Sequence, residues 1–127
     1  MDESAGTPAA PATAPDFDVR GTRDAAGWTF AVSGDLDLDT VPRLRFELAA
    51  AFTRSSGDVV VDLREVDFFE VTALHLFAET SRRLDLVGGR LFLRELSAFQ
   101  QRLLVTYGLT QHASGAWVER VPLGYRA

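Results

Sequence analysis

The run Val59-Val60-Val61-Asp62-Leu63 constrains this chain more than any other segment. A short, nearly continuous stretch of β-branched and aliphatic residues reads as a strand covered on both faces, the pattern of a parallel sheet. Parallel neighbours need crossover connections, and the flanking sequence supplies them. Upstream, Val41, Leu44, Leu48, Ala51 and Phe52 recur at helical spacing behind Thr40, an N-cap residue type, and Pro42, which sits in the first turn where its missing N–H costs little. That helix is expected to end near residues 55–57. Downstream, a helix is expected over residues 72–87, with Leu74, Phe77, Ala78, Ser81 and Leu84 on one face and Gly88-Gly89 as its stop.

The remaining segments complete the pattern. Residues 16–20 alternate in polarity, as do Trp28, Phe30 and Val32 with their neighbours, and turn residues 24–27 lie between, so an antiparallel hairpin is expected. Leu91-Phe92-Leu93 reads as a strand, Ser97-Ala98-Phe99-Gln100 as a capping box, and Gly108-Leu109 as a Schellman-type helix end. A last short strand is expected around residues 116–119. The fold class is therefore α/β, a mixed sheet of four to five strands with helices packed on it. Residues 1–15 combine Ala, Pro, Thr, Ser and Gly without apolar periodicity and are expected to form a disordered tail before one domain spanning 16–127.

Residues 34–40 and 68–73 both follow strand ends and should lie at the same end of the sheet, where α/β folds place their sites. Asp35, Asp37, Asp62, Asp67 and Glu70 gather there or near it, but no nucleophile accompanies them, and acidic strand-end loops are ordinary in soluble proteins. The serines form no Gly-x-Ser-x-Gly elbow, Gly88-Gly89 stands on the wrong side of a helix to cradle phosphate, cysteine is absent, and His75 and His112 are the only imidazoles. No catalytic residue, metal site or cofactor is expected. With a net charge of −5 and arginines interspersed among acids, a nucleic-acid face is not expected either. No apolar run reaches the roughly 18 residues of a membrane helix and no signal peptide is visible, so a cytoplasmic protein without direct membrane insertion is expected. The exclusive use of arginine among the basic residues suggests GC-rich bacterial coding. Phe68-Phe69 cannot both point inward in an extended segment, and Phe69 is assigned to an exposed, partner-facing position.

Taken in order, Ser33-Gly34-Asp35-Leu36-Asp37, Val60-Val61-Asp62-Leu63 with Val66-Asp67-Phe68, Gly88-Gly89 before Leu91, and residues 103–109 ending in Gly-Leu resemble the STAS domain of anti-sigma factor antagonists over about residues 17–110. The resemblance implies a non-catalytic, bacterial partner-switching or scaffolding module acting in transcription or stress signalling. Its partner would be a histidine-kinase-like anti-sigma factor that also phosphorylates it. Family members that work as switches carry Asp-Ser-Ser-Gly-Leu or Asp-Ser-Thr-Gly-Leu where this chain has Glu70-Val71-Thr72-Ala73-Leu74. The acceptor position is thus Val71, which has no oxygen, and Thr72 is the one neighbouring hydroxyl, expected to cap the helix rather than to accept phosphate. Asp35, Asp37, Thr40, Phe69, Glu70, Val71, Thr72 and Leu74 are the expected partner contacts. Two alternatives stay open: a STAS subunit of a transporter, such as a lipid-transport ATPase complex, and a STAS domain sensing a nucleotide or other small molecule.

Overall fold

The computed structural model describes residues 16–54 and 57–119. The tail expected over residues 1–15 and the last eight residues of the expected domain lie outside the described residues. The elements are β1 (Asp18–Arg23), β2 (Gly27–Ser33), α1 (Val41–Arg54), β3 (Asp58–Glu65), α2 (Val71–Asp85), β4 (Leu91–Arg94), α3 (Ala98–Thr106), β5 (Leu109–Gln111) and β6 (Trp117–Glu119). They build one six-stranded sheet in the order β1-β2-β3-β4-β6-β5. β2, β3 and β4 are parallel, and β1, β6 and β5 add antiparallel partners. The expected hairpin is β1–β2, and the expected central strand is β3.

Two expectations change. A sixth strand, β5, begins at Leu109, so the residue read as a helix-end contact is also the fully buried first residue of a strand. Three residues are too few for periodicity to register. The second change concerns β3, which is not covered on both faces. Val59, Val61 and Leu63 are buried, whereas Val60 is only half-buried, flanked across the ladder by Thr29 and Phe92. Two successive right-handed crossovers that step the same way across a sheet place their helices on the same face, so α1 and α2 cover the odd-numbered residues of β3 and neither covers Val60.

Sequence chemistry explains the boundaries. Ser97 Oγ accepts from the Gln100 N–H at 3.1 Å while Gln100 Oε1 accepts from the Ser97 N–H at 2.9 Å, which is the expected capping box. α2 stops where Gly88 takes a φ of 81° and the Gly89 N–H reaches Leu84 O at 2.9 Å. A Cβ on Gly89 would overlap the Gly57 carbonyl oxygen, so the close passage of these two segments needs glycine there. Inside, Phe30, Leu44, Leu48, Val61, Leu63, Leu74, Phe77 and Leu84 form a single core between sheet and helices. Each such side chain contributes about 1.5–3 kcal/mol by leaving water.

Candidate functional site at the strand-to-helix junctions

Parallel pairing of β2, β3 and β4 brings their C-terminal ends together, and the first two junctions are joined directly. The Leu36 N–H donates to Phe68 O and the Glu70 N–H to Leu36 O, both at 2.9 Å, so Leu36 and Phe69 form an isolated parallel bridge beyond the ends of β2 and β3. The Gly34 N–H reaches Glu65 O at 3.1 Å, and Glu70 Oε1 accepts from the Leu38 N–H at 3.1 Å. The two loops are therefore one hydrogen-bonded frame.

Within that frame, three side chains named from sequence turn out to be structural. Thr40 is buried, and its hydroxyl does not cap α1: it accepts from the Asp37 N–H at 2.9 Å and gives its one proton to Asp35 O at 2.6 Å. Asp37 Oδ1 accepts from the backbone N–H groups of Asp39 at 2.9 Å and Thr40 at 3.1 Å, so this acid holds the turn that presents Leu38. Leu74 is a core residue, because position 74 lies on the sheet-facing side of α2.

The assignment of Phe69 is corrected as well. Phe69 is 3% exposed and packs edge-to-face on Phe77, with ring centroids 5.9 Å apart, while Phe68 is 51% exposed. The alternation of β3 breaks at Val66, whose N–H turns back to Leu63 O, and both Val66 and Phe69 then face inward. The aromatic side chain available to a partner is Phe68.

Thr72 also departs from expectation. The N-cap of α2 is Glu70, which makes no side-chain capping bond, and Thr72 lies one residue inside the helix that begins at Val71. Its Oγ1 is buried and has no hydrogen-bond partner among the described residues. The two threonines of the frame should therefore respond oppositely to loss of the hydroxyl. Thr72→Val is expected to leave stability unchanged or raise it by up to about 1 kcal/mol, whereas Thr40→Val, which strands the Asp37 N–H and the Asp35 carbonyl, should cost about 2 kcal/mol. Urea denaturation of the two variants measures both; equal losses would refute the contrast.

What the frame exposes is apolar at its centre and acidic at its rim. Leu38 is 70% exposed and Val71 37%, and Asp35, Asp39 and Asp67 stand in solvent around them and Phe68. Between the starts of α1 and α2, Leu38, Val41, Pro42, Arg45, Thr72 and His75 line a cleft of about 140 Å³. Sequence reasoning did not single out Leu38, and of the Phe68-Phe69 pair it chose the wrong member. Leu38 carries a legible signal, an aliphatic residue between two turn-forming aspartates that fits neither the strand before it nor the helix after it. Among the described residues no group of three or more His, Cys, Asp or Glu side chains is placed to hold a metal ion, and no helix is long and apolar enough to cross a membrane.

A family model described as "Mlab, STAS domain" matches residues 21–119. No curated protein matches. Among solved structures, the chain is similar to the anti-sigma factor antagonist SpoIIAA in its unphosphorylated form, with a TM-score of 0.63, 18% identity, and coverage of 83% of this chain and 88% of that one. It also resembles part of Mglu, at a TM-score of 0.54 and 22% identity, and part of the murine Solute Carrier 26 family member A9 anion transporter in its inward-facing state, at 0.55 and 16%. These two matches cover 62% and 78% of this chain but only 20% and 17% of the larger ones. At such identities the likeness is one of fold.

Proposed function

Because the chain belongs to the STAS domain family, matched across residues 21–119, we propose that it is a protein-docking module of the anti-sigma factor antagonist type, and that its docking surface is the joined end of the β2–α1 and β3–α2 junctions. The observation that carries this reading is the exposure of Leu38, Phe68 and Val71 on a frame whose two loops are held to each other by hydrogen bonds. Exposed aliphatic and aromatic side chains on a rigid base, ringed by acids, supply a contact centre that loses little entropy on docking. The partner class is a histidine-kinase-like ATPase acting as anti-sigma factor, as the resemblance of the sequence to anti-sigma factor antagonists implies.

This module docks constitutively. Val71 offers no oxygen and the Thr72 hydroxyl is buried, so the position that carries the switch in phosphorylated members is closed to a kinase here. To test this, the full chain is titrated calorimetrically against each histidine-kinase-like ATPase of the source cell, and its intact mass is followed after incubation with that ATPase and Mg-ATP. Binding with unchanged mass is expected. Phosphate on the chain would overturn the constitutive reading, and absence of binding to any such ATPase would overturn the partner class. A second reading, a subunit docked on a transporter, is favoured by the occurrence of this fold within an anion transporter chain. Co-purification with a transport complex in place of an ATPase anti-sigma factor would select it.

A further inference from the structure

The third parallel strand, β4, ends beside the first two, and its junction with α3 exposes a large apolar side chain of its own. Phe99, in the first turn of α3, is 60% exposed. Its helix is tied to the frame described above: the side chain of Gln100, the next residue, donates from Nε2 to Val66 O at 3.3 Å, two residues from Phe68. Leu96 packs on the core beneath this turn and fixes its base.

Charge changes sign across this end of the molecule. Residues 34–42 and 65–74 hold Asp35, Asp37, Asp39, Glu65, Asp67 and Glu70 and no basic residue. The arginines that flank these segments in sequence pair with other acids, Arg43 with Glu47 at 3.0 Å, Arg45 with Glu79 at 3.2 Å and Arg64 with Asp62 at 3.8 Å. At the third junction, Arg94 and Arg102 outnumber Glu95, and the Arg102 guanidinium lies 5.9 Å from the centre of the Phe99 ring. An interface with two signs of charge along one edge fixes the orientation of its partner, since reversed docking would set like charges together.

We propose that the docking surface extends onto the β4–α3 junction, with Phe99 as a further apolar contact and Arg102 as its charged guide, and that it takes a protein surface that is apolar along its middle, basic opposite the first two junctions and acidic opposite the third. This rests on the docking reading given above. It adds the third junction and the polarity of the partner.

The probe is the histidine-kinase-like ATPase that binds the full chain in the titration above. Leu38→Asp, Phe99→Asp, Arg102→Glu and, as a control at the far end of α2, Asp85→Lys are compared after circular dichroism and melting confirm that each is folded. An acid early in α3 suits the helix N-terminus, so Phe99→Asp is expected to fold as wild type does. Phe99→Asp should weaken binding by at least about tenfold and Arg102→Glu by a few-fold, with Asp85→Lys unchanged. If Leu38→Asp loses affinity while Phe99→Asp and Arg102→Glu bind as wild type, the extension is wrong and the docking reading stands. If Phe99→Asp alone weakens binding, the surface is not continuous with the first two junctions and the extension is wrong in that form. If no ATPase binds the wild type, or only Asp85→Lys is impaired, both fall.

Discussion

Val71→Asp is expected to weaken partner binding by about a hundredfold while leaving the fold intact. Val71 is the first residue of α2 and is 37% exposed, so the substitution creates no buried charge in the free protein. An acid at a helix N-terminus is favourable by a few tenths of a kcal/mol to about 1 kcal/mol, which makes the variant at least as stable as the wild type. In the complex the same carboxylate would be stripped of water at the apolar middle of the contact, away from the basic groups that face the acidic rim. A desolvated, unpaired charge costs several kcal/mol, and about 3 kcal/mol corresponds to about a hundredfold in affinity. Val71→Ser, which removes two methyl groups but adds no charge, should lose only a few-fold. Calorimetry with the partner ATPase reads both. If Val71→Asp binds within a factor of about two of wild type, the docking centre lies elsewhere on the molecule.

Phe77→Ala is expected to lower stability by about 3–5 kcal/mol. Phe77 is fully buried in α2 and forms the wall against which Phe69 packs edge-on, so truncation opens a cavity under the bridge that joins the first two junctions. Against the total of about 5–15 kcal/mol that holds a domain of this kind, such a loss removes a large fraction of the folding free energy and should lower the melting temperature by about 10 °C or more. Phe68→Ala, by contrast, should change stability by no more than about 0.5 kcal/mol, because an exposed ring contributes little to the folded state. The paired measurement, guanidinium denaturation and partner titration, separates the two roles. Phe77→Ala is read in stability and Phe68→Ala in affinity; the reverse pattern would invert the assignment of the two faces.

How far the sequence could be read depended on the range of the interaction involved. The hairpin, the three helices, β3 and β4 were legible because local periodicity and end chemistry carry them: the spacing of Val41, Leu44 and Leu48, the reciprocal bonds of Ser97 and Gln100, the left-handed Gly88. The location of the candidate site followed from the same reading, since parallel strands put their junctions at one end. Its composition did not. Thr40 and Asp37 are acceptable contact residues by type, but the loop folds back on itself and spends their polar atoms on its own backbone.

Residue pattern alone thus determined that this chain makes parallel strands with helical crossovers and that β2–α1 and β3–α2 meet at one end. Tertiary structure decided which aromatic of the Phe68-Phe69 pair faces solvent, that Leu74 is core, that the hydroxyl of Thr72 is sealed, and that Val60 looks away from both crossover helices. The physical reason differs between elements and junctions. A side chain's facing within an element is fixed by short-range geometry, but at a junction it is set by contacts more distant in sequence, here Leu36 across the bridge and Phe77 from the next helix. The hand of the two crossovers, which no local pattern encodes, placed α1 and α2 on one face and left the other side of β3 without a crossover helix.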